Sequence, residues 1–218
     1  MELIVVVGVI ALLASMIFPI ATVVKKAQKL GAAKAEMSEF ETAIEAYKAR
    51  IGAYPPDNPG NAVTNQLYYE LQGMIFNQGK GGFTTLDGSV TLTPANLAAA
   101  YGPNVIGFMN ASGTSRNSDE TSSAVNFLKT GLRPNQVSLL SNGANLLVCS
   151  VPWESPDPTN VIVPSPPAPP FPKINPWRYV STNPTNNPGR YDLWVDLYLR
   201  GKIYRVNNWS KEPLLVNP

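Results

Sequence analysis

The chain opens with Met1-Glu2 and then runs from Leu3 to Val24, 22 residues without a charged side chain, before Lys25-Lys26 appears. Wound as an α-helix at about 1.5 Å per residue, that run reaches roughly 33 Å, enough for a hydrocarbon core of about 30 Å. It predicts a membrane-spanning helix over residues 1–24. A carboxylate at the mouth of the run is out of place in a plain anchor, because a lone acid in hydrocarbon costs about 2.5–3.5 kcal/mol unless it finds a partner. Pro19 is the second anomaly: it removes a backbone hydrogen bond and is expected to kink or locally melt the helix. Gly8, Ala11, Ala14 and Ser15 let neighbouring helices approach closely.

The helical pattern continues past the uncharged run. Leu30, Ala33, Met37, Phe40, Ile44, Tyr47, Ile51 and Tyr54 alternate spacings of three and four, one stripe on one helix face. Charged residues lie between them, with Glu41 and Glu45 a mildly unfavourable i,i+4 pair and Glu45–Lys48 a supporting one. Pro55-Pro56 is expected to end the helix. The stripe is short for a coiled coil and a globular region follows at once, so docking on that region's own sheet is preferred. The expected division is 1–24 and 25–54 as the two halves of one helix, then a domain over 55–218.

Composition narrows the function classes. Histidine is absent, which removes the commonest general base and metal ligand. Cys149 is the single cysteine, so no internal disulfide and no cysteine-based zinc site can form. The net charge is +2 with scattered lysines and arginines, giving no electrostatic case for nucleic acid. No paired acids, glycine-rich loop or activated nucleophile stands in a catalytic context, and no enzymatic activity is expected. With 21 prolines and 16 glycines, the domain should be loop-rich and antiparallel.

Within the domain, Asn65 to Phe76 reads as a second helix, and Asp87-Gly88 as the turn of a hairpin over Thr84–Leu92. Residues 110–123 form a polar loop. Val137–Leu140 and Leu146–Cys149 read as strands around Asn142-Gly143. Residues 152–176 hold ten prolines and form an extended, polyproline-like excursion, a spacer or a partner-recruiting segment. Tyr191–Leu199, a tight turn at Gly201-Lys202 and Ile203–Val206 make a closing strand pair.

Glu2 through Pro19 resembles the N-terminal segment of type IV pilin-like proteins, in which a glutamate opens an apolar helix and a proline lies seventeen residues on. Glu39 to Pro56, with Gly52-Ala-Tyr-Pro55, resembles the helix end of the major pseudopilin of type II secretion. Asn175-Pro-Trp177, Gly189-Arg-Tyr191-Asp192-Leu-Trp194 and Asn208-Trp209 resemble that family's C-terminal signature. Residues 60–174 match nothing recognisable. The resemblance implies an α+β pilin-like fold: a long N-terminal helix on a small antiparallel sheet, with a loop-rich insertion. It implies a structural subunit of a type II secretion pseudopilus, with a surface type IV pilus subunit or a single-pass anchored binding protein as alternatives. Implied partners are copies of itself, other pseudopilins, an inner-membrane assembly platform and a prepilin peptidase. The implied location is the bacterial inner membrane, crossed once, with the domain in the periplasm. Glu2, Gly8 and Pro19 would serve filament assembly, Glu2 by pairing with a neighbour's N-terminal amine.

Two departures from the family pattern stand out. The sequence starts at Met1, directly before the glutamate, without the family's leader and first mature residues, so a late start is expected. The positive-inside rule adds a conflict, because it would put Lys25, Lys26, Lys29 and the domain in the cytoplasm. A basic leader, glycine and phenylalanine encoded in frame ahead of Met1 would resolve this; a stop codon directly before Met1 would refute it. The family's calcium-binding acidic loop is not matched either. Leu199-Arg-Gly-Lys-Ile-Tyr-Arg-Val206 stands there, Asp192 and Asp196 fall short of the six to eight oxygens calcium takes, and no calcium site is expected.

Overall fold

The computed structural model describes residues 2–77, 79, 81–103, 105–113, 123–129, 131–140, 143–154 and 174–216, with side chains undescribed at 2, 4 and 11–22. Helix α1 spans Glu2–Ile51. It is followed by α2 (Leu67–Gln72), β1 (Met74–Asn77), β2 (Gly82–Thr85), β3 (Thr91–Leu92), α3 (Pro94–Tyr101) and β4 (Ala111–Ser112). A 3-10 turn at Pro134–Gln136 precedes β5 (Val137–Leu139), β6 (Asn145–Leu147), β7 (Arg178–Val180), β8 (Asp192–Leu199), β9 (Lys202–Asn207) and β10 (Leu214–Val216). The fold is α+β.

Among the described residues, the strands make two four-stranded sheets and a hairpin. One sheet has the order β3-β2-β1-β4, the other β10-β9-β8-β7, and β5 pairs with β6. The first is mixed, because β1 runs parallel to β4 while pairing antiparallel with β2. This corrects the expectation of one small antiparallel sheet with a loop-rich insertion: residues 74–112 build a sheet of their own. The Asn65–Phe76 helix is also corrected. It stops at Gln72, and Met74–Asn77 extends as a strand that trades backbone hydrogen bonds with β2. The first residues of the polar loop, Ala111 and Ser112, are a strand as well; 114–122 lie outside the described residues, as does most of the proline-rich excursion, 155–173.

Other elements follow their local chemistry. Asp87 fixes the β2–β3 turn by accepting from Thr85 Oγ1 (2.6 Å), Ser89 N (3.0 Å), Ser89 Oγ (2.7 Å) and Gln72 Nε2 (3.0 Å). Helix α3, absent from the sequence reading, has a legible start: the Thr93 hydroxyl accepts from Asn96 N at 3.2 Å and Pro94 takes the first helical position. The β8–β9 turn is Arg200-Gly201, one residue earlier than expected, with both φ positive (57° and 76°). That is the two-residue hairpin turn matched to sheet twist.

Helix α1 ends at Ile51 rather than at Tyr54. Gly52, at φ 92°, turns its N–H back to Lys48 O at 2.8 Å, so the glycine stops the helix before the prolines do. From Leu30 onward α1 lies against β8, β9 and α2. Phe40, Ile44 and Tyr47 are fully buried with Ala33, opposite the inward residues Leu193, Val195, Leu197 and Leu199 of β8. Alternate residues of a strand share one face, so a helix stripe and a strand stripe close a common core.

No helix among the described residues is long and apolar enough to cross a membrane. This corrects the expectation of a single-pass inner-membrane segment carrying a periplasmic domain. A span needs about 20 consecutive apolar side chains.

Candidate assembly surface

The first turns of α1 stand clear of the folded head. Leu3, Val5, Val6, Val7, Val9 and Ile10 are all more than half exposed, Leu3 reaching 77%. Steps of about 100° per residue spread these six side chains over more than half of the helix circumference. Gly8 lies among them with nothing within 4 Å of the position a Cβ would take. The side chains of Glu2 and Pro19 lie outside the described residues. The backbone is helical through position 19, with no melted turn there.

The second half of α1 is already occupied. Leu30, Met37 and Ile51 are half-buried against the head, while Phe40, Ile44 and Tyr47 are buried in it. Tyr54, beyond the helix end, packs edge-on to Tyr191 with ring centroids 5.0 Å apart. Trp177 meets Phe40 in a T-shaped contact at 5.6 Å. Trp177 and Tyr191, two of the C-terminal signature residues, therefore hold the helix stripe. The other three do not join them. Asp192 accepts from the backbone N–H of Asn186 and Asn187, both at 2.9 Å. Trp194 and Trp209 pack against each other at 5.9 Å.

Polar contacts lock α1 further. The Tyr47 hydroxyl donates to Glu70 Oε2 at 2.8 Å, and Glu70 also accepts from Met109 N and Asn110 N, both at 2.9 Å. Burial raises the Glu70 carboxyl above its ordinary range despite those three donors. Glu36 is buried on α1, accepting from Ser150 N at 3.1 Å with Arg133 at 3.6 Å. Arg190 reaches Glu45 Oε1 at 2.6 Å. Glu41 is raised chiefly by burial, with Arg190 opposing and Glu45 reinforcing the shift.

Several of these residues escaped the sequence reading. Glu36 lies four residues before Phe40, so the stripe itself marks it as inward, but an acid there does not read as core. Glu70, Asn65 and Asn110 carry no sequence signal of their buried role, and Asn175 enters only through the Asn175-Pro-Trp177 resemblance. Each is buried to satisfy backbone groups: Asn65 Nδ2 donates to Trp177 O at 2.9 Å, and Asn175 Nδ2 to Asp196 O at 2.7 Å.

Among the described residues, no group of three or more acidic, histidine or cysteine side chains is placed to hold a metal ion. Asp196 is engaged by Arg205 in a two-pronged pair at 2.8 and 2.9 Å. Burial, with Glu36 nearby, pushes the Cys149 thiol far up, away from the reactive thiolate. No protein-family profile, no curated protein and no solved structure matches this chain.

Proposed function

We propose that this chain is a structural subunit of a helical filament, of the pilin-like kind that builds a type II secretion pseudopilus, and that copies of α1 form the filament core. The observation that carries the reading is the exposed apolar start of α1 on a helix whose later turns are committed to the head. A helix apolar around most of its circumference is stable only when covered on several sides. One binding partner covers one side; a bundle of like helices covers all of them. The Glu2–Pro19 interval and the C-terminal signature resemble the pseudopilin pattern and support the same reading.

The test is assembly of the purified full chain, followed by sedimentation and electron microscopy. Filaments or large helical oligomers are expected, with Val6→Lys abolishing them while the head melts at the wild-type temperature. Glu2→Ala is expected to impair assembly as well. A chain that stays monomeric at high concentration, or a V6K variant that assembles normally, refutes the proposal.

A further inference from the structure

A cleft of about 340 Å³ lies between α1 and the β8–β9 turn. Lys25, Lys26, Lys29 and Arg200 line it, against one carboxylate among the described lining residues, Glu154. Lys202 follows on the same turn, paired across it with Leu199. The chain as a whole is nearly balanced, with 17 basic and 15 acidic residues, so this concentration is local.

Two of the cations have defined partners. Lys29 Nζ lies 2.9 Å from both Glu154 oxygens. Lys26 Nζ sits 3.9 Å above the Tyr204 ring. Arg200 occupies the left-handed position of a two-residue turn closed by β8 and β9. Tyr204 lies beside the cleft, under Lys26. Its pKa is lowered, first by its hydrogen bond to Lys26, with the charges of Lys26, Lys202 and Arg200 adding to the effect.

We propose that this cleft is an anion site that seats the phosphate group of a phosphate ester among Lys25, Lys26, Lys29 and Arg200. Four basic residues around one cleft, one of them a forked guanidinium, favour an anion with several oxygens and more than one charge. A phosphate supplies both, whereas a carboxylate offers two oxygens and one charge. The cleft is larger than one phosphate, and Tyr198 and Leu199 give its wall an aromatic and aliphatic surface for the organic part of the ester. The proposal is independent of filament formation, because every residue in it belongs to the head or to the helix beside it.

Two probes distinguish a soluble ester from a phospholipid headgroup. Inorganic pyrophosphate is titrated into the full chain by calorimetry at fixed ionic strength, and phosphatidylglycerol vesicles are compared with phosphatidylcholine vesicles in co-sedimentation. The double variant Lys26→Gln/Arg200→Gln removes two exposed or half-exposed cations, and Lys129→Gln is the control for charge alone. Binding of pyrophosphate that weakens at least about tenfold in the double variant and is unchanged in K129Q supports the site and a soluble ligand. The same pattern with phosphatidylglycerol vesicles alone supports the site and a lipid headgroup. Binding of neither probe, or binding that the double variant leaves unchanged, overturns the proposal.

Discussion

The hydroxyl of Tyr47 and the carboxylate of Glu70, both buried, meet at 2.8 Å and join α1 to α2. Glu70 spreads its two oxygens over three donors on two other segments, Tyr47 on α1 and the backbone of Met109 and Asn110 ahead of β4. Tyr47→Phe removes one donor and leaves two. It is expected to lower stability by about 1–2 kcal/mol, read from urea unfolding. Glu70→Gln is expected to cost more, since either amide orientation sets an NH₂ group against a backbone N–H. Equal losses for the two variants contradict this arrangement.

Glu70 also sets a pH dependence. Its folded pKa is raised by burial above the reference value of 4.5, so its ionisation opposes folding. Its contribution is fully favourable below that reference value and is lost as pH rises through the folded pKa. Melting temperatures of wild type and E70Q measured across that rise should therefore draw together with increasing pH. A gap that widens with pH gives the shift the opposite sign.

Phe40 and Val6 lie on the same helix and should respond in opposite ways. Phe40→Ala opens a hole between α1 and Trp177 and is expected to destabilise the head by about 3–5 kcal/mol. Val6, 57% exposed, has little packing to lose in the single chain, and Val6→Ala should leave thermal unfolding of the head within about 0.5 kcal/mol of wild type.

Asp196 offsets the charge of two arginines. Arg205 is bound to it by two hydrogen bonds, and Arg178 feels its charge while being itself depressed chiefly by burial. Asp196→Asn removes the anion that offsets both arginines. A loss of about 1–3 kcal/mol is expected, partly recovered by Arg178→Met in the same chain. A double variant less stable than D196N alone contradicts that account.

Cys149 is 3% exposed. Its thiol should be silent to a water-soluble disulfide reagent in the folded chain and react once denaturant opens the core, with the midpoint of reactivity matching that of unfolding. Fast labelling under native conditions contradicts its placement.

Periodic elements were the legible ones. The stripe from Leu30 to Tyr54 and the alternation along Tyr191–Leu199 each repeat one decision many times, and the structure places both in the same core. The β2–β3 hairpin was readable because Asp87-Gly88 has a local mechanism. The strand Met74–Asn77 reads as helix in the sequence because four residues are too few for either period to declare itself; pairing with β2 across a short loop and with the sequence-distant β4 decides it. Glu70 and Asn110 were invisible for a related reason. Their roles are to satisfy backbone groups that only the folded topology brings near, and nothing in their own sequence neighbourhood records that. The resemblance to pilin-like proteins identified residues, such as Trp177 and Tyr191, that the structure sets against α1, but it did not anticipate the second sheet.

Helix α1 is one unbroken rod of 50 residues, about 75 Å long. Its later turns are keyed into the head by Phe40, Tyr47 and Glu36, so the head cannot slip around it. A rotation imposed on residues 3–10 is therefore delivered to the head as torque, with no swivel between the two. Head orientation becomes a direct readout of how the first turns are gripped.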